Sequence, residues 1–191
     1  MKLHELVKKN RSCRRFKGDR AIEVSVLRGL VDLARFAPSA ANLQPLRYII
    51  SADPARNMLI FPHLYWAAYL KDWDGPRQGE RPSAYIVMLS DSGISGKVKW
   101  DHGIAAQTIL LGAVEQGLAG CMIAGLNREG LRGALSIPEK YGIEMVIALG
   151  VPEETIVLED VGPEGNIRYW RGPDGEHHVP KRSLDDLILD I

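Results

Sequence analysis

Sulfur is scarce and net charge is absent. Cys13 and Cys121 are the only cysteines among 191 residues. Two thiols supply neither a disulfide framework nor a metal-ligand set, and such usage suits a reducing cytoplasm, where the chain is expected. Lys plus Arg and Asp plus Glu total 24 each. No global field therefore draws nucleic acid or a membrane surface. No apolar run approaches the ~20 residues that a membrane-crossing helix needs. The start, MKLHELVKKN, is charged and amphipathic, unlike a signal peptide. No glycine cluster, GLAGC included, has the G-x-G-x-x-G spacing of a Rossmann fingerprint. Internal repeats and low-complexity segments are missing as well.

What is present suits a single domain over residues 1–191. A chain of this length buries roughly 70% of the surface that its unfolded form exposes. Leu3, Leu6 and Val7 share a helical face ahead of the basic stretch NRSCRRF. Val24, Leu27, Leu30, Val31 and Ala34 repeat at helical spacing until Pro38 disfavours the helical state at Ala37. LRYIIS (46–51) is a strand candidate, and Asp53-Pro54 is a helix start. FPHLYWAAYLKDW (61–73) reads as a helix with Trp66, Tyr69 and Trp73 on one face, followed by the turn-rich connector 74–83. AYIVMLS (84–90), AGCMIAG (119–125) and EMVIALG (144–150) are continuous apolar runs, the pattern of strands buried on both faces. Asp101 opens a long helix that Gly117 closes, and Asn127 caps a short one near 128–135. Beyond Pro152 the chain turns rich in Gly, Pro and charge, as an arm laid across another surface rather than a core. SLDDLILDI is expected to end it as a short helix capped by Ser183. The fold class is α+β, with about four strands covered by helices.

Three segments carry polar or basic groups beside strong structural punctuation. Arg11, Ser12 and Arg14 follow the first helix. Arginine presents a planar fork that binds phosphate bidentately, and serine adds a hydroxyl donor. The same run also reads as a solvated basic helix end favoured by the helix dipole. APSAANLQP (37–45) is longer than a plain turn needs. Asn42 and Gln44 each offer a donor and an acceptor, which suits the edge of a heterocycle, and Ala40 and Ala41 keep the loop thin. A Pro-bounded loop without a ligand is the alternative. In the third segment, small residues around Ala124-Gly125 leave backbone N–H groups accessible, or else form only a tight turn.

In order, RSCRRF, PSAANLQP, DHGIAAQTILLGAVEQGLAGC and a late KR resemble the nitroreductase family of FMN flavoproteins, over nearly the whole chain. The resemblance implies a central, mostly antiparallel sheet flanked by helices. It also implies an intertwined homodimer that exchanges a C-terminal arm (153–191) and holds one FMN in each of two sites between subunits. Arg11, Ser12 and Arg14 would contact the phosphate and the pyrimidine side of FMN. Pro38, Ser39, Ala40 and Asn42 would come from the partner subunit, and the Gln44 amide, like that of Asn42, suits the pyrimidine edge of the flavin. The backbone at Ala124 and Gly125 would lie near flavin N5, and Lys181 and Arg182 would return to the phosphate. Three features depart from the family pattern: Asn10 replaces the first basic residue of the usual triplet, Ala124 stands where some members place Glu, and segment 61–83 is compact.

The function so implied is an FMN-dependent oxidoreductase. Hydride would pass from NADH or NADPH through flavin N5 to a small aromatic acceptor such as a nitroaromatic, a quinone or a flavin. The cofactor carries that chemistry, so no catalytic side chain is expected, and Arg14 is the candidate to stabilise the reduced flavin. Two alternatives are a specialised flavin enzyme of the same fold, dehalogenating or flavin-fragmenting, and a noncatalytic FMN-binding protein. Trp66, Tyr69 and Trp73 would line the acceptor pocket, or pack in the core or at the dimer interface. His177-His178 reads as a solvated pair rather than a metal site. Cys13 reads as a small buried residue, or as a thiol activated by its basic neighbours.

Overall fold

Residues 1–95, 98 and 100–190 are described by a computed structural model of the chain. Helices α1 (Leu3–Lys9) and α2 (Val24–Ala34) precede strand β1 (Leu46–Ser51) and helix α3 (Pro54–Ile60). Strand β2 (Ala84–Asp91) leads to the long helix α4 (Asp101–Glu115), strand β3 (Ala119–Ile123), helix α5 (Arg128–Leu135) and strand β4 (Tyr141–Gly150). Strands β1 to β4 form one sheet in the order β1-β2-β4-β3, and every pairing is antiparallel.

The central strands explain their own composition. Alternate residues of a strand face opposite sides of its sheet. Ile86 and Met88 of β2, with Met145, Ile147 and Leu149 of β4, pack against Leu27 and Leu30 of α2 and Ile109 of α4. Tyr85, Val87 and Leu89, with Val146 and Ala148, pack on the other side against Ile60, Trp66 and Leu131. Both faces are covered, so the apolar run is continuous although the sheet is antiparallel. Gly112 lets α2 approach α4 closely, since a Cβ there would lie 2.5 Å from Leu33 Cδ1.

Local signals fixed several boundaries as expected. Asp53 Oδ1 accepts from Arg56 N at 2.7 Å at the start of α3, and Asn127 Oδ1 accepts from Gly130 N at 2.9 Å at the start of α5. Gly117 takes the left-handed conformation just past α4, with φ 77°.

Segment 61–73 is not the helix that its periodicity predicts. Phe61–His63 forms one 3-10 turn containing Pro62, which has no N–H to continue an α-helix. Leu64 then bridges Leu126, and Tyr65 N donates to Gly125 O at 2.9 Å. Ala67 has φ 38°, which excludes a helix at that point. The backbone is committed to partners far away in sequence.

The C-terminal region also departs from expectation. Where no strand is expected from the sequence, it holds a second sheet of β5 (Ile156–Asp160), β6 (Trp170–Arg171) and β7 (His177–Lys181), in the order β5-β7-β6. β5 and β7 run parallel, with Asp160 opposite Lys181. The SLDDLILDI segment forms a single turn, not a helix. Ser183 Oγ accepts from Asp186 N at 3.2 Å, so the cap is made although no helix follows within the described residues. Ile191, the end of that segment, lies outside them.

Candidate cofactor-binding site

Residues 10–17 lie along the edge of the main sheet, and each is fixed by a separate contact. Asn10 is buried and donates from Nδ2 to Gln107 Oε1 of α4 at 3.2 Å. The residue in place of the usual basic group thus ties α1 to α4. Ser12 bridges Gly120 in parallel, and Cys13 N donates to Gly120 O at 3.0 Å. Phe16 is fully buried against Gly150, where a Cβ would lie 2.6 Å from its ring. Burial, with the Glu154 carboxylate adding to it, pushes the Cys13 thiol up to about 12. Cys13 is therefore a packing residue and not an activated nucleophile.

Glu154 organises this segment from the far side, which nothing in the local sequence signals. Its side chain is fully buried, accepting from Arg14 N at 2.8 Å and from Arg171 Nη2 at 2.7 Å. The Arg14 guanidinium is left to turn elsewhere. Its Nη1 donates to Ser12 O at 3.3 Å and meets His177 Nε2 at 3.1 Å, and its Cζ lies 5.0 Å from the Tyr169 ring centroid.

Between residues 10–14 and β7 lies a cavity of about 320 Å³. Arg11, Ser12 and Arg14 line it from the N-terminal side, His177, Val179 and Lys181 from β7, and Tyr169 beside them. No acidic residue lines it, so its charge is positive. Arg11 contributes from a held position, donating to Asn10 O and, at 2.7 Å, to Val7 O at the end of α1. Arg182 is exposed and is not among the lining residues. Guanidinium and ammonium groups facing an acid-free hollow suit a phosphate monoester.

The 38–44 loop sits in a different cavity, of about 200 Å³, between the end of α2, the start of β1 and the start of α4. Asp101 is the anchor. It is 4% exposed, accepting from Ser39 Oγ at 2.5 Å and from Ala40 N at 3.2 Å. Ser39 Oγ also accepts from Gln44 N at 2.9 Å. Ala41, Asn42 and Gln44 all have positive φ, at 50°, 54° and 51°. Non-glycine residues pay a steric cost there, and clustered strain of this kind marks functional loops. Gln44 Nε2 donates to Asn42 O and Asn42 Oδ1, both at 3.1 Å, so the two amides brace each other. Pro38, Ser39 and Gln44 line this cavity, whereas Ala40 and Asn42 are exposed beside it.

Ala124 and Gly125 are exposed just past β3 and line neither cavity. Arg128 holds the Ala124 carbonyl at 3.2 Å. Of the aromatic trio, Trp66 is a core residue, packed on Phe61 and edge-on to Trp73. Tyr69 is exposed and meets Tyr169, with 4.9 Å between ring centroids. His177 is not solvated as its sequence context predicts: it is 1% exposed. Among the described residues, no group of three His, Cys, Asp or Glu could hold a metal ion. No described helix is long and apolar enough to cross a membrane.

Comparison with known proteins bears on this arrangement. The model of the nitroreductase family matches residues 7–78 and 80–151. The chain belongs to that family. Among family relatives, it is 33% identical over 170 residues to a putative NADH dehydrogenase/NAD(P)H nitroreductase of Methanothermobacter thermautotrophicus, covering 84% of this chain and 83% of the relative. A nitroreductase family protein of Clostridium novyi NT matches with a TM-score of 0.66 at 27% identity, over 80% of this chain and 86% of that one. A putative nitroreductase of Desulfovibrio desulfuricans, solved in complex with FMN, shares the fold with a TM-score of 0.71 at 22% identity, over 98% and 95% of the two chains. Membership makes the protein an oxidoreductase of α+β fold.

Proposed function

We propose that the protein is an FMN-dependent NAD(P)H oxidoreductase that works as a homodimer. The observation that carries this reading is the convergence of Arg11, Arg14 and Lys181 on one hollow without an acid. These cations come from distant parts of the sequence, and a dianionic phosphate is the group that would reward bringing them together. Bound FMN would supply the redox chemistry, accepting hydride from NADH or NADPH, which leaves as the oxidised nicotinamide, and then passing two electrons to a small aromatic acceptor.

The residues of the chain bind and orient. Arg11 and Lys181 hold the phosphate, with Ser12 donating its hydroxyl and Arg182 adding its charge from outside the hollow. Arg14 turns its charge toward the pyrimidine edge, where negative charge accumulates on reduction, and lowers the free energy of that state. Ala124 and Gly125 leave a slim surface beside the reacting face. The strained 38–44 loop grips the ring from a second copy of the chain. Pro38, Ser39, Ala40, Asn42 and Gln44 then complete a site that one chain holds in two separate parts.

A dimer also accounts for apolar surface near that loop. Phe36 is 68% exposed and Trp100 77% exposed, with Leu43 and Ile104 nearby in sequence also exposed. Leu184, Leu187, Ile188 and Leu189, just past the cationic pair, are exposed too. Covering such side chains is what a C₂ interface does, with arm exchange bringing the tail onto the partner.

A visible spectrum followed by anaerobic titration tests the reading. The purified protein should take up FMN, turn yellow and be bleached by NADH or NADPH. Sedimentation should give twice the monomer mass. A protein that ignores added FMN overturns the proposal.

A further inference from the structure

We propose that His177 is the positioning residue for Arg14, holding its guanidinium with a neutral ring nitrogen so that the full positive charge faces the cofactor pocket. The inference rests on the FMN reading above and assigns a role to a residue that it leaves without one.

Proton counting comes first. Arginine has donors only, so at 3.1 Å Arg14 Nη1 donates and His177 Nε2 accepts. The ring proton must then sit on Nδ1. That nitrogen is buried with no hydrogen-bond partner among the described residues. A buried donor left unpaired loses its hydration with nothing in return, whereas an apolar side chain of similar size would avoid that cost. A ring kept only for packing gains nothing from its nitrogens. Nε2 is the atom that gives histidine a use here.

The surroundings keep the ring neutral. His177 N donates to Thr155 O at 2.8 Å, and the ring lies 5.2 Å from the Tyr169 ring centroid. Burial lowers its pKa to about 4, and Arg14, Arg171 and His178 act in the same direction. Glu154 alone among the facing groups opposes them. Above pH 5 the imidazole therefore remains an acceptor.

Neutrality is the useful property. A carboxylate in this place would also hold the guanidinium but would cancel its charge at the flavin. The structure separates the two tasks. Glu154 takes the Arg14 backbone N–H and the Arg171 guanidinium, while His177, Ser12 O and the Tyr169 face hold the Arg14 side chain. No carboxylate oxygen forms a salt bridge with Arg14 among the described residues.

Substitutions at His177, read out by FMN binding, test this. His177→Leu removes the acceptor while filling the space, and His177→Gln restores a neutral carbonyl acceptor. FMN dissociation constants are measured for the oxidised and reduced cofactor, with melting temperature as the control for folding. The Leu variant should melt within a few degrees of wild type and bind reduced FMN about 10-fold more weakly, with a smaller change for oxidised FMN; that ratio corresponds to ~1.4 kcal/mol. The Gln variant should recover most of the loss. His177→Phe, which keeps a ring, serves the same purpose if the Leu variant does not fold. Unchanged selectivity for the reduced cofactor in the Leu or Phe variant, or a Gln variant that recovers nothing, overturns the inference alone. A wild type that binds no FMN overturns the proposed function and this inference with it.

Discussion

All eight residues of β2 are buried between two layers of helix and loop, whereas on β7 only His177 is. The main sheet is held by apolar contact on both faces, a force that neither pH nor salt much alters. The second sheet is latched by charges and rings. Glu154 binds Arg171 and the Arg14 backbone, His178 Nδ1 meets Glu159 Oε1 at 2.5 Å, and the Trp170 ring stacks on His178 with centroids 3.9 Å apart. Tyr169 OH accepts from Tyr69 N at 3.3 Å and so ties the arm to the compact 61–73 segment. One half of the candidate site therefore stands on a durable support and the other half on a conditional one. Lys181 reaches the cation cluster only while the latch is closed.

The largest expected effect comes from breaking the latch at its buried carboxylate. Glu154→Leu strands the Arg171 guanidinium, whose side chain is 15% exposed, and the Arg14 N–H. Removing one partner of a buried pair costs about 3–5 kcal/mol. Hydrogen exchange should show β5 to β7 opening while β2 and β4 stay protected. FMN should bind ~100-fold more weakly, yet riboflavin, which lacks the phosphate, should be affected much less. Equal loss of protection in both sheets would show that the two regions are one cooperative unit, and the comparison would fail.

Acid offers a milder way to open the same latch. The folded pKa of His177 is about 4, below the ordinary value of 6.5. Between those values the unfolded arm binds a proton that the folded arm does not, so arm stability falls as pH drops from about 6.5 through about 4. Above that window His177 contributes no pH dependence, and below it the loss is complete, at most about 3 kcal/mol. Exchange of the His177 amide, followed from pH 7 to pH 4 and corrected for intrinsic rates, should report it, with β4 amides as the internal reference. An arm that is equally protected at both ends of the range would remove His177 from the latch.

These contrasts track how legible each region was in the sequence. α2, α4, α5 and the strands β1 to β4 follow from periodicity, Asp53 and Asn127 caps and Gly117, all of which act within a few residues. Segment 61–73 misleads because its aromatic spacing is helical while Leu64 and Tyr65 are claimed by Leu126 and Gly125, about sixty positions away. The arm hides its strands for a related reason. Parallel pairing of β5 with β7 leaves no hairpin signal between them, and the one signal present, the Pro173-Asp174-Gly175 turn joining β6 to β7, flanks a β6 of only two residues. His177 is buried by Tyr169 and the N-terminal segment rather than by its neighbours in sequence. Arg11 and Arg14, which line one hollow with Lys181, were legible as candidate anion-binding residues by their chemistry, and Lys181 only through the family resemblance. Glu154, one of two adjacent glutamates, and Asp101, which reads only as a helix start, were not. Their partners lie on other elements, and no local pattern marks a carboxylate that will be buried by distant donors.

The smallest effect is expected at the 38–44 loop, proposed above to grip the ring. Ser39→Ala removes the hydroxyl that donates to Asp101 and accepts from Gln44 N. One Asp101 oxygen and one backbone N–H lose a partner, and the exposed Gln44 N–H can turn to water, so the cost in stability is about 1–2 kcal/mol. That hydroxyl holds Gln44 N, at one end of a loop whose Ala41, Asn42 and Gln44 all carry left-handed strain. Without it the loop should relax toward ordinary backbone angles and present its amides in a different direction. If the loop holds the tricyclic ring, FMN and riboflavin should weaken by the same factor of several-fold. That pattern is the opposite of Glu154→Leu, where the phosphate decides the loss. Isothermal titration of both ligands against both variants separates the two halves of the site. A Ser39 variant that weakens FMN but spares riboflavin would move the loop from the ring to the phosphate.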